Sequence, residues 1–206
     1  MVRVPAGARI RRLIEGLRRR AYDPARRLDE VTVPLEWLEE TYGAEAAAER
    51  ALSLSFVGSG VVAYLPAGAE EASAYYADAP RVPPHPPASA AEWEAAEAAI
   101  GRRLPALLRH VYTEVGDGGF GPDYGLHRLA QLVELYGRER KPWLRLVECG
   151  CATAWYVPLE DTAAAPLVVR YEDDGPGAER GITHATLPLD AWLDEWSRAA
   201  AVPRTR

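Results

Sequence analysis

The sequence predicts an α+β protein: helices on a mostly antiparallel sheet, a closing C-terminal helix, and an N-terminal helix-and-hairpin extension. Three observations predict it. Apolar residues recur at helical spacing near both ends and through 93–115. Short strand-like runs are grouped instead of alternating one by one with helices, which argues against a parallel α/β sheet. Five prolines between Pro80 and Pro87 mark a break between two regions.

The elements come in this order. Ile10, Leu13, Ile14 and Leu17 lie at helical spacing among arginines, so 8–20 reads as an amphipathic helix, broken at Asp23-Pro24. A second helix is expected to begin near Thr32-Val33-Pro34, with Pro34 in its first turn and Leu35, Leu38 and Tyr42 on one face. Leu52, Leu54 and Phe56 alternate with serines, the period of a half-buried strand. Gly58-Ser59-Gly60 then turns into Val61–Leu65, a hairpin. Residues 79–90 cannot be helix or central strand and read as a stiff connector, or as an arm packed across the second domain. The organisation is therefore 1–78 extension, 79–90 linker and 91–200 main domain.

Ser89 is placed to cap a helix carrying Trp93, Ala96 and Ile100, which Gly101 ends or bends. Leu104-Pro105 opens another helix, with Leu107, Leu108, Val111, Tyr112 and Val115 on one face. Gly116 to Pro122 is a turn needing positive φ at several positions. Residues 143–157, 166–172 and 181–187 read as strands, with 173–177 a loop between the last two. Leu189, Trp192, Leu193 and Trp196 form the stripe of a final helix.

With 206 residues and 48% apolar composition the chain can bury a core without disulfides or metal. No apolar run approaches the roughly 20 residues that span a bilayer, and no h-region follows the N-terminal arginines. Cys149 and Cys151 are one residue apart, poor geometry for a disulfide, and read as reduced thiols in a cytoplasmic protein. The net charge of -6 argues against nucleic acid as a partner. Residues 1–30 carry nine arginines against four acids, +5, so the remainder carries -11. A basic N-terminal helix on an acidic body docks on that body, reaches an acidic partner, or is a solvated face.

The residues offer no enzymatic constellation that holds. Gly116, Gly118 and Gly121 satisfy G-x-G-x-x-G, but a helix precedes them and Pro122 follows, the wrong context for a pyrophosphate site. Cys149 and Cys151 with His127 or His184 lack the spacing of structural zinc. Glu160-Asp161 and Glu172-Asp173-Asp174 fit neither a catalytic carboxylate pair nor an EF-hand. As solvated loops they are ordinary; as a surface they would suit a basic partner.

One region is more specific. Glu97, Ile100-Gly101, Leu104-Pro105, Leu108, Tyr112, Val115–Pro122 and Tyr124-Gly125-Leu126 follow one another in an order that resembles the opening of a SMI1/KNR4 (SUKH) domain. Glu148–Cys151 is similar to the "GC" strand of a bacterial branch, and Leu187–Trp196 to its closing helix. The resemblance covers about residues 88–199, with Asp117 where the family more often has Asn. It implies a SUKH-like fold with no cofactor and no catalytic residue. It also implies a protein partner, of the kind bound by bacterial immunity proteins that neutralise toxin domains. The alternatives are a regulatory scaffold with residues 1–80 as a docking or dimerising arm, and a hydrolase with its site between the two halves. The candidate partner-binding residues are Asp117, Phe120, Tyr124, Trp155, Glu160, Asp161, Asp173 and Asp174. Trp93, Trp192 and Trp196 are assigned to the core, and the oligomeric state is left open.

Overall fold

The computed structural model describes residues 6–139, 142–150, 153–159, 166–172 and 186–199. The fold is α+β, with helices around two antiparallel sheets of three and four strands.

Helix α1 (Ala6–Ala21) buries Leu13, Ile14 and Leu17 and turns most of its arginines outward. Strand β1 (Glu30–Pro34) comes next, where the sequence suggested a helix start. Val31 and Val33 are β-branched, alternate, and are buried on one face, so pairing with β3 outweighs the pull of Pro34. Pro34 instead stands at the N-cap of α2 (Leu35–Tyr42), with φ -58° and ψ 131°. Gly43, at φ 87°, separates α2 from α3 (Ala44–Arg50). Strands β2 (Ser53–Val57) and β3 (Gly60–Pro66) form the expected hairpin, and α4 (Glu70–Tyr75) comes after them. Gly58 at φ 60°, followed by a residue of negative φ, matches a type II′ turn.

The first sheet runs β1-β3-β2. Its core joins Val31, Val33, Ala63 and Leu65 to Leu38, Ala47 and Ala72 of the helices. Strand β2 is not half-buried as its alternation suggested: Leu54 is 55% and Phe56 84% exposed. The helices cover β1 and β3 and stop short of this edge.

The larger core takes α1 together with α5 (Ala90–Ile100), α6 (Ala106–His110, continuing through a π turn at Val111–Val115), α7 (Leu129–Glu139) and α8 (Leu189–Arg198). These cover one face of a meander, β4 (Trp143–Gly150), β5 (Thr153–Pro158), β6 (Leu167–Glu172) and β7 (Thr186–Pro188). The described part of the 1–78 extension, residues 6–78, is thus shared between two cores: α1 packs with α8 in the larger, and β1 to α4 build the smaller. The run expected as one strand over 143–157 is the pair β4 and β5, with Gly150 at φ 83° ending β4. Helix α7 is an addition to the elements the sequence predicts. The 173–177 loop lies outside the described residues, as do 181–185 of the last expected strand.

The proline arm packs on the larger body. Ala88 N donates to Tyr112 O at 2.9 Å and Asp117 N to Pro86 O at 3.2 Å. Pro83, Pro84 and His85 lie so close to Gly116 and Gly119 that an added Cβ would meet them at 2.9 to 3.1 Å. Ser89 caps α5 through a reciprocal capping box with Glu92, and Gly101 ends that helix in the left-handed conformation.

Candidate functional site

The glycine turn is a structural junction. An added Cβ on Gly118, at φ 73°, would lie 2.6 Å from Leu126 O and 2.7 Å from His127 O. A π turn precedes the G-x-G-x-x-G and an irregular loop comes after it, so the motif serves close backbone approach. Asp117 points at the start of α7: Leu129 N donates to Oδ1 at 2.7 Å, and Arg128 Nε to Oδ2 at 3.1 Å. That carboxylate caps a helix. Phe120 is fully buried, 6.2 Å from the Trp196 ring, and belongs to the core.

The other two described candidates, Tyr124 and Trp155, line neighbouring pockets on either side of Asp123 and its loop. The turn carries on to Asp123, the only non-glycine with positive φ (49°) among the described residues. Asp tolerates that conformation better than most residues. Trp155 Nε1 donates to Asp123 Oδ2 at 2.9 Å, and the Cys149 thiol reaches the same oxygen at 3.3 Å. Asp123 N in turn donates to Asp29 Oδ2 at 2.8 Å. Tyr124 is 56% exposed, and its hydroxyl lies against Gly150, where an added Cβ would be 2.9 Å away. Glu160, Asp161, Asp173 and Asp174 lie outside the described residues.

Asp123 and Trp155 line a cleft of about 350 Å³. It lies where the β1 end of the small sheet meets β5 and α8. Its aromatic wall is Trp155, Trp192 and Trp196, with the Trp155 and Trp192 centroids 5.4 Å apart. Four carboxylates line it, those of Asp29, Glu30, Asp123 and Glu195. Tyr124 faces a neighbouring groove of about 540 Å³ together with Tyr64 and Tyr76.

Arg20 is the lining cation, and it is committed internally. Its residue is 5% exposed. Nη2 pairs with Asp29 Oδ1 at 3.0 Å, and Nε donates to Arg26 O at 2.8 Å. Nη1 donates to Trp196 O and to Ala199 O, and the guanidinium sits 4.4 Å from the Trp196 ring centre. Burial lowers its pKa from the usual arginine value, against the pull of Asp29. The guanidinium thereby ties α1 to the end of α8 and holds the cleft wall in place.

The Cys149 thiol is pushed well up, first by burial and then by the Asp123 carboxylate beside it. A thiol held protonated is a poor nucleophile and a poor metal ligand. Among the described residues no group of three His, Cys, Asp or Glu converges on one point. The cleft can accept a cation against indole faces and carboxylates. The sequence points to Trp155 and Tyr124 but places Trp192 and Trp196 in the core alone. Both are buried, and each also lines the cleft. Asp29, Glu30 and Glu195 carry no motif that could flag them. Comparison with protein-family models, with characterised proteins and with solved structures finds no match for this chain.

Proposed function

We propose that this chain is a non-catalytic protein-binding module of the immunity type, which neutralises a toxin domain by taking its basic side chains into the tryptophan cleft. The observation that carries the reading is the cleft's composition: three indoles and four carboxylates around one buried, internally paired arginine. A lysine or arginine entering it gains cation–π contact and charge-assisted hydrogen bonds together. The net charge of -6 on the whole chain favours encounter with a basic partner. The resemblance of residues 88–199 to SMI1/KNR4 domains supports the same class of function. A cytoplasmic setting suits such a role, and no described helix is long and apolar enough to cross a membrane. The hydrolase alternative would place its site in this same cleft between the two cores; the one described thiol, Cys149, reaches the cleft's Asp123 and is held protonated.

The test is capture from host lysate with the tagged full chain, beside the D123N/E195Q double variant, followed by mass spectrometry and co-expression. Asn tolerates the backbone at 123. The reading expects a stoichiometric partner with a basic surface that the double variant loses. It also expects binding that weakens with salt and relief of the partner's toxicity on co-expression. Salt-insensitive binding, or equal capture by the double variant, would sink it.

A further inference from the structure

We propose that β2 pairs edge to edge, antiparallel, with β2 of a second copy of this chain. The surface adjoins the cleft, sharing Leu52 with its lining, and its test is independent of any toxin partner. β2 ends the order β1-β3-β2, and no described strand pairs with its outer side. Cross-strand register puts Leu54 opposite Ala63 and Phe56 opposite Val61. Ala63 belongs to the helix-covered core, so Leu54 and Phe56 lie on that same apolar face, beyond where the helices reach. They are 55% and 84% exposed, with Leu52 at 44% beside them.

Three features fit the second copy better than another occupant. The row Leu52, Leu54, Phe56 with Ser53 and Ser55 between is symmetric about Leu54. A two-fold axis there sets Leu54 on its own copy, Leu52 on Phe56 and serine on serine, keeping both apolar rows on one side. Residues 51–69 contain no Asp, Glu, Lys, Arg or His, so two chains of net charge -6 meet there without local repulsion. A basic partner would gain no charge attraction from that neutral strand. The edge also lacks the lysine, inward charge or proline by which monomeric sheets keep such strands apart.

The measurement is light scattering on the full chain, from low micromolar to submillimolar, with the L54K/F56K variant alongside. Wild type is expected to move from 22.6 kDa toward twice that mass as concentration rises. The variant is expected to stay monomeric, with the circular dichroism spectrum and melting point of wild type at low micromolar concentration, because both side chains are exposed. Hydrogen exchange on wild type gives a readout free of any variant: the β2 amides should gain protection with concentration. A mass of one chain at every concentration would overturn the proposal. So would a dimer that survives in a folded L54K/F56K variant, or β2 exchange indifferent to concentration.

Discussion

At the scale of single residues, the turn after the π segment shows how one carboxylate fixes a local structure. Asp117 accepts from Leu129 N at 2.7 Å and pairs with Arg128, while Gln131 accepts from Arg128 N at 2.9 Å. Together they satisfy donors that the first turn of α7 leaves without partners. Replacing Asp117 with Ala is expected to cost about 1 kcal/mol, within the roughly 0.5–2 typical of lost caps. D117N keeps an acceptor and should recover most of that. Urea unfolding of the three proteins checks it, and a D117A midpoint equal to wild type would remove the capping role. Gly118→Ala is expected to cost more than about 1 kcal/mol, because it combines positive φ with backbone atoms at 2.6 Å and 2.7 Å. The sequence marked this turn through its glycines. It could not show that Asp117 caps a helix twelve residues on, because that pairing exists only after the chain doubles back.

At the scale of elements, α1 decides whether the N-terminal segment is an appendage. Leu17 is fully buried in the larger core. Arg20, one turn on, bonds the carbonyls that end α8. Leu17→Ala should therefore cost about 2–5 kcal/mol, the range for a core leucine, in one cooperative transition. Near-zero loss, or loss confined to a separate early transition, would make α1 a detachable arm. Periodicity made α1 and α8 legible, because each keeps an apolar stripe against a polar face, while α5 was legible through its Ser89 cap and the spacing of Trp93, Ala96 and Ile100. It failed at β1, where two valines separated by Thr32 are too short a pattern to outweigh a nearby proline. It failed again at β2, whose alternation is real but whose apolar face outruns the helices that would cover it. The cleft and the groove beside it were half legible for a similar reason. Trp155 and Tyr124 stood out as aromatics, whereas the acids reach the site from three distant stretches of chain.

At the scale of the whole molecule, burial of ionisable groups sets the pH window of stability from both sides. His127 is half-buried, 3.9 Å from Glu148, and burial lowers its pKa despite that carboxylate; Arg145 nearby pushes the same way. The unfolded chain therefore binds a proton near the ordinary value of 6.5, before the folded chain does. The stability from keeping His127 neutral is present above that value and is lost as pH falls through the folded pKa. On the alkaline side, burial raises Cys149, and it raises the Tyr156 phenol to about 12. Their contribution is intact below the ordinary thiol value of 9.0 and phenol value of 10.0. It is lost as pH climbs through the raised values, because the unfolded groups ionise first. Chemical denaturation across pH is expected to show a plateau between these limits and a falling limb on each side. H127Q should flatten the acid limb above the carboxylate range, and C149S should delay the onset of the alkaline one. An acid limb unchanged by H127Q would mean that carboxylates alone drive it, and that His127 meets the same environment folded and unfolded.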